Sequence, residues 1–398
     1  MKKEIKGFIM GIIATTVIFS TTLTVFSEPI TKTIKATYEN ITLYVDGNLI
    51  APKFDNGKLI EPFTIDGTTY LPARLVAEAL GKKVSWDDAN KSIYIGKKPY
   101  DNSPSEISEF TVSTAEEFVK AIGSNRKIIL KPGVYDLSTV YGISENSTVW
   151  WDKVSDGKEL VVRAISNISI EGDTSGKVEI KTSPRNAEII HFIGGTNISI
   201  KNIVAGHTPS EYTCNSGVLG FERCENVSID NSEFYGCGSI GISLDYTKEF
   251  LCNNTKIDHC SLRALDINGS NDIKFTKSKF VDHEAYSDLI YASNSSEVNF
   301  EDCLFDNNNK LTWSLAEVYG NSNISLNKCK ITNNIVTNEN TLNDKVSMFK
   351  TLDFSRETAG KISLKDTEIS SNKCESLFDN ESNVTFENCK IENNSWQR

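Results

Sequence analysis

A long internal repeat is the feature that most constrains how this 398-residue chain can fold. Nine segments resemble one another, from "NISIEG" at Asn167 to "NVTFENCKI" at Asn383. Their first apolar residues are Ile168, Ile198, Val227, Phe250, Ile273, Val298, Ile324, Ile362 and Val384, at spacings of 30, 29, 23, 23, 25, 26, 38 and 22 residues. One repeat cannot bury its thin apolar face alone, so neighbouring repeats must stack around a continuous core.

Each repeat contains three short alternating segments, separated by turns rich in Asn, Asp or Lys. Leucine-rich repeats are excluded because their leucine spacing and helix are missing. The pattern therefore predicts a mainly β fold, a right-handed parallel β-helix with three strands per coil and about nine or more coils. Residues 111–398 resemble the pectate-lyase-like β-helix superfamily, which implies the same fold.

A different pattern occupies residues 37–98. Apolar strands alternate with Asp-Gly turns, and one helix begins near Pro72, which predicts a small α+β domain. The segments "VDG", "TYLPARLVAEALG", "VSWD" and "SIYIG" resemble the copper amine oxidase N-terminal-like family, a stalk module. This stretch contains no histidine or cysteine, so we expect a spacer or wall-proximal binding module without copper. Residues 99–110 read as a linker.

The N-terminus and the net charge limit the partners. Residues 1–27 combine three early lysines with an apolar run, which predicts a signal peptide, with an uncleaved anchor as the alternative. The formal charge of −11 argues against a nucleic-acid partner. We expect an extracellular or cell-wall protein whose membrane contact, if any, is this N-terminal segment.

The adjacent residues Asp258, His259 and Cys260 suggest a reactive cluster, but the repeat register gives another interpretation. Cys260 lies thirteen residues before its anchor, as do Cys214 and Cys237, so these cysteines should face the core. Asp258 and His259 then belong to a turn, and no metal site is predicted here. A second column should join Cys303, Cys329 and Cys389 to Ser232, Thr255, Ser278 and Thr367. Disulfides between adjacent coils stay open, although buried free thiols are favoured.

The third strand of each coil is the predicted functional face. Leu265 and Ile267 should point inward, which turns Asp266 outward, with Ser243 one coil before it and Glu317 two coils after it. We predict Asp266, Glu317 and Arg263 as catalytic residues. The predicted substrate contacts are Asp245, Glu222, His259, His283 and Tyr291. The competing interpretation is a solvated charged face, because acidic side chains are mostly exposed.

Two classes of function follow. The first is a protein that binds or processes a polysaccharide or cell-wall glycan, as a lyase or a hydrolase if it is an enzyme. The second is a noncatalytic adhesin or spacer with a rigid β-helix rod. No cofactor is indicated, and Ca²⁺ stays open without a recognisable ligand set. The acidic and arginine motifs of polygalacturonases and pectate lyases are missing.

Overall fold

The computed structural model describes residues 34–45, 48–50, 62–80, 82, 84–87, 92–96, 107–208, 213–236, 239–337, 346–352 and 360–396. The predicted signal segment 1–27 and most of the predicted linker lie outside these residues. The chain forms two compact units, Met1–Ser103 and Pro104–Arg398. No helix among the described residues is long and apolar enough to cross a membrane.

The first unit is built from antiparallel hairpins and one helix. The strand pairs are Leu43–Val45 with Asn48–Ile50, Phe63–Ile65 with Thr68–Tyr70, and Val84–Asp87 with Ser92–Ile95. The helix Ala73–Ala79 follows Pro72, whose fixed φ suits a helix start. Asp66 and Gly67 both have positive φ, at 49° and 80°, as a tight hairpin turn requires. The α+β prediction is thus confirmed for the described residues of this unit.

The second unit consists of three long sheets. Sheet 1 contains Val149–Val154, Gly157–Arg163, Ile190–Ile193, Leu219–Glu222, Ile240–Asp245, Arg263–Asn268, Ile290–Ser293, Ala316–Tyr319, Ser347–Leu352 and Ser376–Phe378. Sheet 2 contains Ser108–Val112, Arg126–Leu130, Ser166–Gly172, Thr196–Lys201, Glu225–Asp230, Lys248–Asn253, Asn271–Thr276, Ser296–Glu301, Asn323–Asn327, Lys361–Lys365 and Val384–Glu387. Sheet 3 contains Gly133–Asp136, Val178–Thr182, Val204–His207, Glu233–Tyr235, Lys256–Asp258, Lys279–Val281, Leu304–Asp306, Lys330–Thr332, Glu368–Ser370 and Lys390–Glu392.

Successive strands along the chain belong to sheets 1, 2 and 3 in turn. Within each sheet, strands of neighbouring coils pair in parallel, except that the first two strands of sheet 1 are antiparallel. This is the predicted right-handed parallel β-helix. It begins with the strand Ser108–Val112, three residues before the predicted start at residue 111. A helix, Ala115–Ala121, follows this strand, and its N-cap Thr114 accepts a hydrogen bond from the Glu117 N–H at 3.2 Å. Short 3₁₀ turns are present at Leu137–Thr139 and Glu381–Asn383, and Lys373–Cys374 pairs with Ser395–Trp396.

The pairing register of sheet 2 confirms the repeat alignment. Each predicted anchor is the direct partner of the next, from Ile168 with Ile198 to Ile362 with Val384. All these anchors are buried. Aromatic rings from neighbouring coils stack on one another in the same core. Phe275 and Phe300 stack with ring centroids 5.0 Å apart, and Phe280 and Phe305 with centroids 4.9 Å apart. The coils therefore share one apolar core.

Each turn from sheet 2 to sheet 3 contains one residue in the left-handed backbone conformation, which has a positive φ. The residues with positive φ include Asn202, Asn231, Asn254, Lys277, Asp302, Lys328, Asp366 and Asn388. The next residue points inward and forms the predicted column of Ser232, Thr255, Ser278, Cys303, Cys329, Thr367 and Cys389. Hydroxyls in this column accept backbone N–H groups from the preceding coil, as Thr255 does from Ser232 at 3.4 Å. Small polar residues therefore satisfy backbone donors that the turn would leave unpaired.

The corner from sheet 3 to sheet 1 carries a second interior column, formed by Cys260, His283, Asn308, Asn334, Asn372 and Asn394. The Asn308 side-chain amide donates to the Asn334 Oδ1 at 2.7 Å and to the Phe280 carbonyl at 3.0 Å. His283 takes the same place, with its Nδ1 accepting the Cys260 N–H at 3.0 Å and its Nε2 bonding the Ile257 carbonyl at 3.0 Å. The histidine is thus a neutral link in an asparagine column.

The cysteines are mostly buried free thiols, as predicted. Among the described cysteines, seven are free, namely Cys224, Cys252, Cys260, Cys303, Cys329, Cys374 and Cys389. Cys214 departs from the expected thiol because it is disulfide-bonded. Burial raises the pKa of the Cys224 thiol to about 11, which makes it a poor nucleophile at neutral pH.

Candidate functional site

The outward face of sheet 1 brings the main predicted residues together. Ser243, Asp266, Tyr291, Glu317 and Lys350 are direct partners on successive strands. The predicted alignment of Asp266 with Ser243 above and Glu317 two coils below is confirmed. It arises from strand alternation, because the flanking residues of Asp266 are fully buried apolar side chains.

Arg263 lies beside this column and forms ion pairs with two carboxylates. Its Nη1 lies 2.6 Å from the Asp266 Oδ2, and its Nη2 lies 3.6 Å from the Asp288 Oδ2. The guanidinium also sits 4.3 Å from the centre of the Tyr291 ring. Arg263 is therefore held in place by two ion pairs and a ring face, which fixes the Asp266 carboxylate at the surface of the sheet.

Asp288 and Glu317 form a buried carboxyl pair. Their residues are 2% and 5% exposed, and the Ser314 hydroxyl donates to the Asp288 Oδ1 at 2.8 Å. Burial raises the pKa of Asp288. Burial, together with the neighbouring Asp288 carboxylate, raises the pKa of Glu317 to about 7. Because ionisation of one carboxyl group disfavours ionisation of the other, the two do not both ionise readily. The pair therefore retains a proton near neutral pH.

Lys350 and Trp313 close one side of the pair. The Lys350 Nζ lies 4.0 Å from the Glu317 Oε2 and 4.7 Å from the centre of the Trp313 ring. Lys350 is almost fully buried, whereas Trp313 is 39% exposed. An exposed indole beside a buried acid is a surface on which a sugar ring could stack.

The surface along the outward column of sheet 1 is referred to below as the groove. It continues from Asp266 toward the strands of the earlier coils. A cavity of about 350 Å³ is lined by His191, Glu222, Ser243, Asp245 and Asp266, among others. Two predicted contacts, Glu222 and Asp245, therefore lie in it. Glu222 is ion-paired with Arg223, and the Asp245 Oδ1 accepts a hydrogen bond from the Asn268 amide at 2.7 Å.

Two predicted substrate contacts lie elsewhere. His259 occupies the left-handed turn after the sheet 3 strand Lys256–Asp258, with φ of 55° and its Nδ1 3.2 Å from the Asp258 Oδ2. His283 has no exposed surface, and both ring nitrogens bond backbone groups. The prediction that His283 contacts substrate is corrected by this burial. Both residues follow sheet 3 strands, away from the outward column of sheet 1.

Sequence reasoning missed several residues of the groove. Asp288 precedes its strand, and Lys350 lies within the long coil from Ile324 to Ile362, so neither stood out by motif. A second cluster, formed by Glu159, Glu188 and His191, was also missed. Burial raises the pKa of Glu188 to about 7. The available signal was the register, because His191 lies in the outward column with Gly220 and Ser243 on the next two strands.

Three long sheets built from parallel coils make the second unit a right-handed parallel β-helix with a groove along sheet 1. In the first unit, residues 17–95 match the family described as the copper amine oxidase N-terminal domain, which confirms the resemblance seen in the sequence.

Three similar solved structures are polysaccharide-processing enzymes. An alginate lyase from a Paenibacillus species shares 10% identity, with a TM-score of 0.48 over 73% of this chain and 98% of that one. A Bacillus pectate lyase in complex with trigalacturonate shares 14% identity, with a TM-score of 0.44 over 71% and 84%. An Aspergillus niger pectin methylesterase shares 12% identity, with a TM-score of 0.41 over 73% and 87%. No curated protein matches the sequence.

Proposed function

We propose that this protein is an exported glycoside hydrolase that cleaves a polysaccharide lying along the outward face of sheet 1. The observation that carries the proposal is the buried carboxyl pair of Asp288 and Glu317, which retains a proton beside a half-buried, arginine-bound Asp266. A carboxylic acid that keeps its proton near neutral pH is the group that general acid catalysis needs.

The proposed reaction uses two carboxyl groups with different tasks. Glu317 donates its proton to the glycosidic oxygen as the bond from that oxygen to the anomeric carbon breaks. Asp266 accepts a proton from the water that attacks the anomeric carbon from the opposite side. Two strand spacings separate the two strand positions by about 9.6 Å, just above the ~6.5–9.5 Å typical of inverting enzymes and far from the ~5–5.5 Å of retaining ones. The spacing thus favours a single displacement with inversion.

The charge of the groove favours a neutral polysaccharide. Glu222, Asp245 and Asp266 line it, while the nearby cations Arg263 and Lys350 already face carboxylates. Arg223, Arg263 and Lys350 are each already paired with a carboxylate, so a polyanion would add negative charge to this surface without gaining an ion pair from them. Trp313 offers an apolar face for a sugar ring instead.

Export to the cell surface or cell wall is part of the same proposal. It is supported by the pattern of residues 1–27 and by a stalk-type domain that precedes the β-helix.

The test is a screen of the purified full chain against neutral and acidic polysaccharides, with reducing ends and unsaturated-product absorbance both recorded. We expect reducing ends without unsaturated products from a neutral polysaccharide. Glu317→Gln and Asp266→Asn should each lower kcat at least ~100-fold, since general acid–base catalysis contributes about 10²–10⁴-fold. Glu301→Gln, on sheet 2, is the matched control and should behave as the unmodified chain.

Three results would count against the proposal. Unsaturated products would indicate a lyase. Full activity in both groove variants would exclude the assigned residues. Glycan binding without cleavage of any polysaccharide would favour the alternative of a noncatalytic adhesin.

A further inference from the structure

A second cluster of polar side chains lies in the groove, three strands before Asp266, and it differs in chemistry from the carboxyl pair. Glu159 lies on the strand Gly157–Arg163, His191 on the strand Ile190–Ile193, and Glu188 just before that strand. One ligand atom from each lies within 4.8 Å of the other two. The register places His191 about 14 Å from Asp266, at roughly 4.8 Å per strand.

The distances within the cluster do not suit hydrogen bonds. The His191 Nδ1 lies 3.6 Å from the Glu159 Oε2 and 3.7 Å from the Glu188 Oε2. Hydrogen bonds from a nitrogen to an oxygen are about 2.7–3.2 Å long. Two ligands bound at about 2.1 Å to one tetrahedral ion lie about 3.4 Å apart. The spacing is therefore closer to that of ligands around a shared ion than to that of a hydrogen-bonded triad.

Glu188 provides an independent observation. Its Oε2 is inaccessible to solvent and has no hydrogen-bond partner. A buried carboxylate oxygen without a donor is costly unless a proton or a cation neutralises it. Gly220 creates the space, because a Cβ at that position would lie 1.9 Å from this oxygen. The fold thus makes room for a carboxylate to which it supplies no donor.

The surrounding contacts orient the three groups. The Glu188 backbone N–H donates to the Glu159 Oε1 at 2.6 Å, which leaves the Glu159 Oε2 facing the cluster. The other ring nitrogen of His191, Nε2, faces the Glu222 Oε2 at 3.9 Å. This distance is longer than a hydrogen bond, so Glu222 contributes an electrostatic contact to the ring.

We propose that Glu159, Glu188 and His191 bind a divalent transition-metal ion, with Zn²⁺ as the best match. An imidazole with two carboxylates suits Zn²⁺, whereas Ca²⁺ takes six to eight oxygen ligands. Three protein ligands leave a position open toward the cavity that His191 lines, where a water or a sugar hydroxyl can bind. This site revises the sequence-based expectation of no metal, and it does not depend on the proposed hydrolysis.

The experiment is metal binding to the full chain without an affinity tag, after removal of metals with a chelator. Zn²⁺ titrated in a calorimeter should bind at one site per chain, and Ca²⁺ at the same concentrations should not compete. Co²⁺ in place of Zn²⁺ should give the intense visible absorption of a tetrahedral site. His191→Asn and Glu188→Gln should weaken Zn²⁺ binding at least ~10-fold each, the lower end of what even outer partners of metal ligands contribute.

Two further variants keep the test decisive if one of these fails to fold. Gly220→Ala retains all three ligands but displaces the Glu188 carboxylate, so it should also weaken binding. His259→Asn removes an imidazole from a distant turn, where Asn307 and Asn333 hold the same conformation, and should bind Zn²⁺ as the unmodified chain does. Absence of saturable Zn²⁺ binding, unchanged affinity in both ligand variants, or equally tight Ca²⁺ binding would overturn the proposal.

Discussion

Replacing His283 with asparagine should make the β-helix less sensitive to acid. Burial lowers the pKa of His283 to about 3 from its ordinary value of 6.5. The folded chain therefore holds this ring neutral at pH 5, while the unfolded chain protonates it. Asparagine can keep both contacts, accepting the Cys260 N–H and donating to the Ile257 carbonyl. One coil later Asn308 makes the equivalent pair of bonds, since it accepts the His283 N–H and donates to the Phe280 carbonyl.

The sign and size of the effect follow from proton linkage. A depressed folded pKa of a base means that the unfolded state binds more protons between pH 6.5 and about 3, so stability falls as the pH falls through this window. Protonation of the His283 ring in the unfolded state lowers the free energy of unfolding by about 0.2 kcal/mol at pH 7 and by about 2.1 kcal/mol at pH 5. The unmodified chain should therefore lose about 2 kcal/mol more than His283→Asn over this range.

The assay is guanidinium unfolding of both proteins at pH 7 and pH 5, followed by circular dichroism and fluorescence. The difference between the proteins cancels the contribution of other groups, including the buried carboxyls. His283→Gln removes the same titration with a different side-chain shape, so it should show the same shift. An equal loss of stability in all three proteins would refute the assignment of His283 as a buried neutral link.

Three other outcomes follow from the groove and the core. If Glu317 is the proton donor, kcat should fall about tenfold per pH unit above about pH 7, because the protonated fraction declines. Trp313→Ala should raise KM for a polysaccharide with little change in kcat, whereas Trp150→Ala, also exposed but on the first strand of sheet 1, should leave KM unchanged. Phe300→Ala should cost about 3–5 kcal/mol of unfolding free energy, measured by denaturant titration, since its stacked ring is fully buried.

The repeat made most of the fold predictable. The anchors from Ile168 to Val384 recur in the sequence with alternating polar neighbours, and parallel pairing aligns each with the next. The same alternation gave the outward position of Asp266 and Glu317. It also assigned Cys260 to the interior and His259 to a turn, which the burial of Cys260 and the positive φ of His259 confirm.

The parts of the site that were missed depend on loops and on burial. Asp288 and Glu188 lie just before sheet 1 strands, where the length of each loop varies and alternation no longer gives the side-chain direction. The raised pKa of Glu317 arises first from burial and then from a carboxylate 29 residues earlier in the chain, and neither is visible in a single sequence. His283 was assigned to the groove because it lies near the other candidate residues in the repeat, but its place in the asparagine column decides its role.

The pairing register of sheet 2 does not depend on the number of residues in a coil. Ile324 pairs directly with Ile362 across 38 residues, and Ile362 pairs with Val384 across 22. The described strands of this long coil keep parallel partners in all three sheets. Duplication or removal of a whole coil would likewise join equivalent partners, so this architecture can change its length in evolution without redesigning its core. A groove built along such a column can gain or lose sugar-binding positions one coil at a time.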